Sequence, residues 1–110
     1  MNQELLGGKV AVITAAGSGI GRESARILAA NGAFAVVTDR DGEAAAQTAG
    51  MIRAAGGRAD AAALDVADEA AVTALFARTA ESHGGIHILH NHAGIQIAGA
   101  EHFGRVVHPW

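Results

Sequence analysis

The 110-residue chain has no cysteine and no tyrosine, and its only lysine is Lys9. Without cysteine there can be neither disulfides nor thiolate metal ligands, which suits a reducing compartment. Positive charge is also scarce. The formal net charge is −3 and no Lys/Arg cluster occurs, which argues against nucleic acid or an anionic membrane as partner. The first residues, Met1 to Leu6, lack the basic and apolar stretches of a signal peptide, and no apolar run approaches transmembrane length. A cytoplasmic location is the expectation. Half of the residues are apolar, much of that alanine, which packs closely but buries little area per residue. A chain of this size makes one small domain that buries about two-thirds of its unfolded surface, so its core has little margin.

What the chain does have is an ordered alternation of short β-rich runs and helical patterns, the signature of βαβ units and a parallel sheet. A first strand is read near Val10 to Thr14, followed by the glycine-rich turn Thr14-Ala15-Ala16-Gly17-Ser18-Gly19-Ile20-Gly21 and a helix to about Ala30. In that helix Ile27 and Leu28 are expected to face inward, and Arg22, Glu23 and Arg26 outward. Asn31-Gly32 ends it as a left-handed cap. A continuously apolar strand follows over 33–38, then a helix from about Glu43 to Ala55 that carries Gly50. A third strand is read near Ala59 to Leu64, although alanine is a poor strand former. Asp68 reads as the N-cap of a helix reaching Ser82, Gly84-Gly85 stops it, and a fourth strand spans 86–91. Right-handed crossovers favour the order 3-2-1-4, the first half of a Rossmann-type doubly wound α/β sheet. Residues 1–99 are thus expected to form a partial dinucleotide-binding domain, with 100–110 as an irregular tail.

The glycine turn carries the chemistry. Glycines let a backbone approach phosphate oxygens, and the helix that opens there offers unpaired N–H groups and a positive dipole end. A purely structural turn is the alternative, but a strand before and a helix after form the context that a dinucleotide fingerprint requires. Asp39 lies eighteen positions beyond Gly21, at the carboxyl end of the second strand, where a carboxylate can accept the adenosine ribose hydroxyls of NAD. It would repel a 2′-phosphate by roughly 4 kcal/mol at 4 Å and an effective dielectric of 20, which favours NAD over NADP. Arg40 beside it is the one neighbour that would attract such a phosphate, and Asp39 could instead be a capping aspartate in a turn. Asp65-Val66, after the third strand, would lie along the adenine groove, or be a turn pair. Six histidines concentrate late in the chain, among them His90 and His92, with no patterned carboxylate or cysteine, so no metal site is expected.

Together these motifs resemble the amino-terminal part of the short-chain dehydrogenase/reductase family over about residues 7 to 100. The family pattern T-G-x-x-x-G-I-G matches Thr14 to Gly21 with Ala15 in place of its first glycine. Its N-N-A-G matches Asn91, Ala93 and Gly94 with His92 second. The resemblance implies that Thr14 buttresses the turn, that Gly17, Ser18, Gly19, Ile20 and Gly21 hold the pyrophosphate, and that Asp39 selects NAD with Arg40 beside it. It further implies that Asp65 and Val66 contact the adenine, and that Asn91, Ala93 and Gly94 shape the cofactor floor.

Such enzymes transfer hydride between nicotinamide and an alcohol or carbonyl, using a serine, an asparagine and a Tyr-x-x-x-Lys pair that lie later in the sequence. A chain without tyrosine cannot supply that phenol, and Lys9 is misplaced to assist, so no catalytic residue is assigned and inactivity alone is expected. The unpatterned ending after about Ala100 reads as that of a truncated or frame-shifted product. Truncation would leave strand four as an exposed edge open to self-association. Two alternatives stand beside the oxidoreductase reading: a non-catalytic nucleotide-binding module, and an inert fragment.

Overall fold

The computed structural model describes residues 5–91. Along them alternate β1 (Val10–Ile13), α1 (Gly19–Ala30), β2 (Phe34–Asp39), α2 (Gly42–Ala54), β3 (Arg58–Ala63), α3 (Glu69–His83) and β4 (Ile88–His90). All strand pairs are parallel, in the order β3-β2-β1-β4. The Rossmann-like half-sheet expected from the alternation is therefore what the chain forms.

Side chains alternate across the sheet and create two cores. On one face, Ala11 and Ile13 of β1 and Ala35 and Val37 of β2 meet Ala25 and Ala29 of α1 and Ala45, Ala49 and Ile52 of α2. On the other, Val10, Val12 and Val36 meet Val72 and Leu75 of α3, with Phe34, Phe76 and Leu89 packed around them. The first face is built mostly of alanine. Its helices lie close to the strands and bury little area per residue. The alanine-rich β3 forms because it pairs with β2 along its whole length, Phe34 to Asp39 against Arg58 to Ala63, so pairing overrides propensity.

Two expectations need correction. Ile27 is not an inward residue of α1; it is 58% exposed. The buried stripe is Gly21, Ala25 and Ala29, spaced by four, with Leu28 half-buried beside it. Small residues, rather than the large ones, mark the face of a helix that packs this tightly. Arg22 is not turned outward either; it is half-buried and bonded to the turn, as described below.

The fourth strand is shorter than its apolar pattern. His87 N–H donates to Val10 C=O at 2.9 Å, but Val10 N–H donates to His87 Nδ1 at 3.0 Å. A side chain thus replaces a main-chain acceptor at the start of the ladder, and regular pairing begins at Ala11 with Ile88. Asp68 caps α3, accepting Ala71 N–H at 3.0 Å. The stop after α1 is a Schellman turn: Gly32, at φ +104°, donates to Ala29 C=O, and Ala33 donates to Leu28 C=O. Ala93, Gly94, His92 and the tail from Ala100 lie outside the described residues.

Candidate functional site

Parallel strands put all their carboxyl ends on one edge of the sheet, and every described candidate residue lies along it. Thr14 follows β1, Asp39 closes β2, Asp65 and Val66 follow β3, and Asn91 follows β4. The switch point lies between β1, which leads into α1 on one side, and β4 on the other.

Three hydrogen bonds and one ion pair run along this edge. Buried Thr14 donates its hydroxyl to Asn91 Oδ1 at 2.8 Å, while Thr14 N–H donates to His90 C=O at 3.0 Å, so β1 and β4 are tied just beyond the sheet. Gly17 N–H donates to Asp39 Oδ2 at 2.9 Å, which draws the glycine turn onto β2. Arg40, with its side chain 78% exposed, reaches to 3.9 Å from Asp65 Oδ2, a rim ion pair of little energetic weight.

The turn is shaped by crowding at some positions and openness at others. A Cβ on Gly21 would collide with the Ala15 carbonyl oxygen, and one on Gly17 would come within 2.6 Å of Ala44 Cβ. Gly19, at φ +57°, faces open space. Ala15 itself has φ +50°, the left-handed region in which a non-glycine residue costs about 1–2 kcal/mol. The turn therefore keeps the backbone shape that its glycine-to-alanine change opposes. Ala16 N–H donates to Thr38 C=O at 2.8 Å, and the buried Thr38 hydroxyl donates to Ile13 C=O at 2.9 Å; both bonds hold the turn in that shape.

The amino terminus of α1 is open. Ser18, Gly19 and Ile20 are exposed, Ser18 makes no side-chain hydrogen bond to the first turn, and that turn holds no acidic residue. Such an end presents main-chain donors and the positive end of the dipole to an anion.

Sequence reasoning missed two residues here. Thr48 of α2 is fully buried and donates its hydroxyl to Ala16 C=O at 2.8 Å. Arg22 donates through Nε to Thr48 Oγ1 at 2.8 Å and through Nη2 to Gly17 C=O. The signal for Thr48 was available: it interrupts the apolar stripe Ala45, Ala49, Ile52, and a buried hydroxyl must find a partner.

A family model described as short chain dehydrogenase matches residues 9–107. The chain belongs to the short-chain dehydrogenase family. Among relatives, the short-chain reductase protein NovJ of Streptomyces niveus is 46% identical over 86 residues, which are 78% of this chain and 33% of NovJ. Two solved structures share its fold. A metagenomic short-chain oxidoreductase in complex with NADP has a TM-score of 0.74 and 39% identity, covering 76% of this chain and 38% of that one. A 7α-hydroxysteroid dehydrogenase complexed with NADH and 7-oxo glycochenodeoxycholic acid has a TM-score of 0.74 and 38% identity, covering 81% and 35%. The short-chain dehydrogenase chain described here thus spans little more than a third of the length of these relatives.

Proposed function

We propose that this chain is the dinucleotide-binding portion of a short-chain oxidoreductase acting on an alcohol or carbonyl, and that it takes NAD(H) in preference to NADP(H). The observation that carries the reading is Asp39: its carboxylate stands at the end of β2 and is fastened by Gly17 N–H to the glycine turn. A ribose and a pyrophosphate need those two features side by side.

The donor set fits the cofactor. The uncapped N–H groups from Ser18 to Gly21 suit a pyrophosphate, and Gly19 leaves room for its oxygens. Asp39 accepts ribose hydroxyls and opposes a 2′-phosphate, while Arg40 is drawn toward Asp65 on the rim. Asp65 and Val66 border the adenine. Thr14 and Asn91 fix the floor between β1 and β4. When bound, the dinucleotide supplies the hydride acceptor or donor; this chain's residues bind and orient it. Relatives hold NADP in one case and NADH in another, so selection must come from this chain's own residues.

The family's Tyr-x-x-x-Lys pair is not among these residues, which hold no tyrosine and only Lys9. That favours a second reading for the 110 residues taken alone, a nucleotide-binding module without proton transfer. Titrating the chain with NADH and NADPH tests the binding claim. NADH should bind at least about tenfold tighter, as expected from one added like-charge repulsion. Equal affinities would refute the NAD preference, and binding of neither would refute the cofactor reading.

A further inference from the structure

We propose that Arg22 and Thr48 are positioning residues that hold Asp39 against the glycine turn and thereby set the discrimination between a free ribose 2′-hydroxyl and a 2′-phosphate. For its ligand the inference rests on the cofactor reading above; its geometry stands apart from it. The peptide unit joining Ala16 to Gly17 is bonded at both ends. Its C=O accepts the buried Thr48 hydroxyl at 2.8 Å, and its N–H donates to Asp39 Oδ2 at 2.9 Å. Fixing one end fixes the plane, so Thr48 aims the Gly17 N–H at Asp39 without touching Asp39 itself. The second carboxylate oxygen, Oδ1, accepts Asp41 N–H at 3.0 Å, so the carboxylate is held at two points and its orientation depends on keeping the Gly17 bond as well.

Arg22 secures the other side. Its guanidinium donates to Thr48 Oγ1, so that hydroxyl is oriented with its proton on Ala16 C=O, and it also donates to the Gly17 carbonyl. One side chain from α1 and one from α2 thereby clasp two successive peptide units of the turn. Charge-assisted bonds of this kind are stronger than neutral ones. Without the clasp, the peptide can turn and the Gly17–Asp39 bond loosens. Asp39 then no longer presents a fixed charge where a 2′-phosphate would sit.

The test compares Thr48→Val, which keeps the shape and removes the hydroxyl, with Thr48→Ser, which keeps the hydroxyl, in the 110-residue chain. Arg22→Lys serves as a second, half-exposed variant, and circular dichroism checks that each folds. In the absence of dinucleotide, hydrogen exchange of the Gly17 amide should quicken about fivefold in Thr48→Val and stay near wild type in Thr48→Ser, the size expected for one lost hydrogen bond. In titrations, Thr48→Val should weaken NADH about fivefold while leaving NADPH nearly unchanged, so the ratio narrows; Thr48→Ser should restore it. A purely structural role would weaken both ligands alike and leave their ratio intact, which would overturn the proposal. So would an unchanged Gly17 exchange rate in both Thr48→Val and Arg22→Lys. If the wild type binds neither dinucleotide, the cofactor reading fails, and the Gly17 exchange rates still decide whether the clasp exists.

Discussion

The helices of this half-sheet begin in two different ways. At α2, Asp41 accepts the N–H groups of Glu43 and Ala44 at 3.0 and 3.2 Å, and at α3, Asp68 accepts that of Ala71 at 3.0 Å. Each first turn also carries a glutamate, Glu43 or Glu69. Those ends supply their own anion. At α1 the N-cap is Ser18, whose hydroxyl caps nothing, and the first turn has no acid. By comparison with its neighbours, α1 goes without about 1 kcal/mol of capping stabilisation. Local stability is thus withheld at the one helix start that follows the glycine turn, where a bound anion can supply the missing charge.

The largest effect on this comparison is expected from Gly21→Ala. Its Cβ would strike the Ala15 carbonyl, so either the turn or the helix start must move. We expect a stability loss of about 3 kcal/mol by chemical denaturation, with NADH binding abolished in calorimetry. Next comes Ser18→Asp, which gives α1 the kind of cap that α2 and α3 already have. It should raise stability by about 0.5 kcal/mol while weakening NADH about tenfold through repulsion of the pyrophosphate. Opposite signs in the melt and the titration are the outcome to look for.

At a closed helix, stability and binding should separate. Gly50 lies within α2, and a Cβ there meets nothing within 4 Å. Gly50→Ala should stabilise by about 1 kcal/mol and leave the NADH dissociation constant unchanged. The smallest effect is expected from Ala15→Gly. It relieves a left-handed alanine at φ +50° but adds freedom to the unfolded chain. The net gain should be about 0.5 kcal/mol, read as a few degrees in Tm.

These positions also show how far the sequence could be read. The strand order, the N-cap at Asp68 and the shared edge of Thr14, Asp39, Asp65 and Asn91 follow from patterns within single elements plus the handedness of crossovers. What stayed hidden depends on contacts between elements. Ile27 looks like a core residue by size, yet the close approach of α1 selects the small stripe Gly21, Ala25 and Ala29. Arg22 looks like a solvated charge until α2 brings Thr48 beside it. His87 ends regular pairing at β4 through a ring nitrogen, which no hydrophobic pattern encodes. Ala15 departs from a glycine position, and only the bonds from Ala16 to Thr38 and from Gly17 to Asp39 show how the turn keeps its shape.

The proposed dinucleotide site is the open start of α1 together with Asp39. A rival location exists at the opposite end of the sheet, a groove of about 740 Å³ between the carboxyl ends of α1 and α2, bordered by Arg26, Ile27, Met51 and Gly57. Those helix ends carry the negative end of the dipole, which disfavours a pyrophosphate. Following backbone amide shifts in a nitrogen-15-labelled chain during NADH titration separates the two most directly. With the dinucleotide at the glycine turn, the amides of Gly17, Gly19, Ile20, Gly21 and Asp39 should move together with one dissociation constant, while Ala71 at the start of α3 stays still. Shifts centred instead on Arg26, Met51 and Gly57, with the glycine turn unmoved, would contradict it.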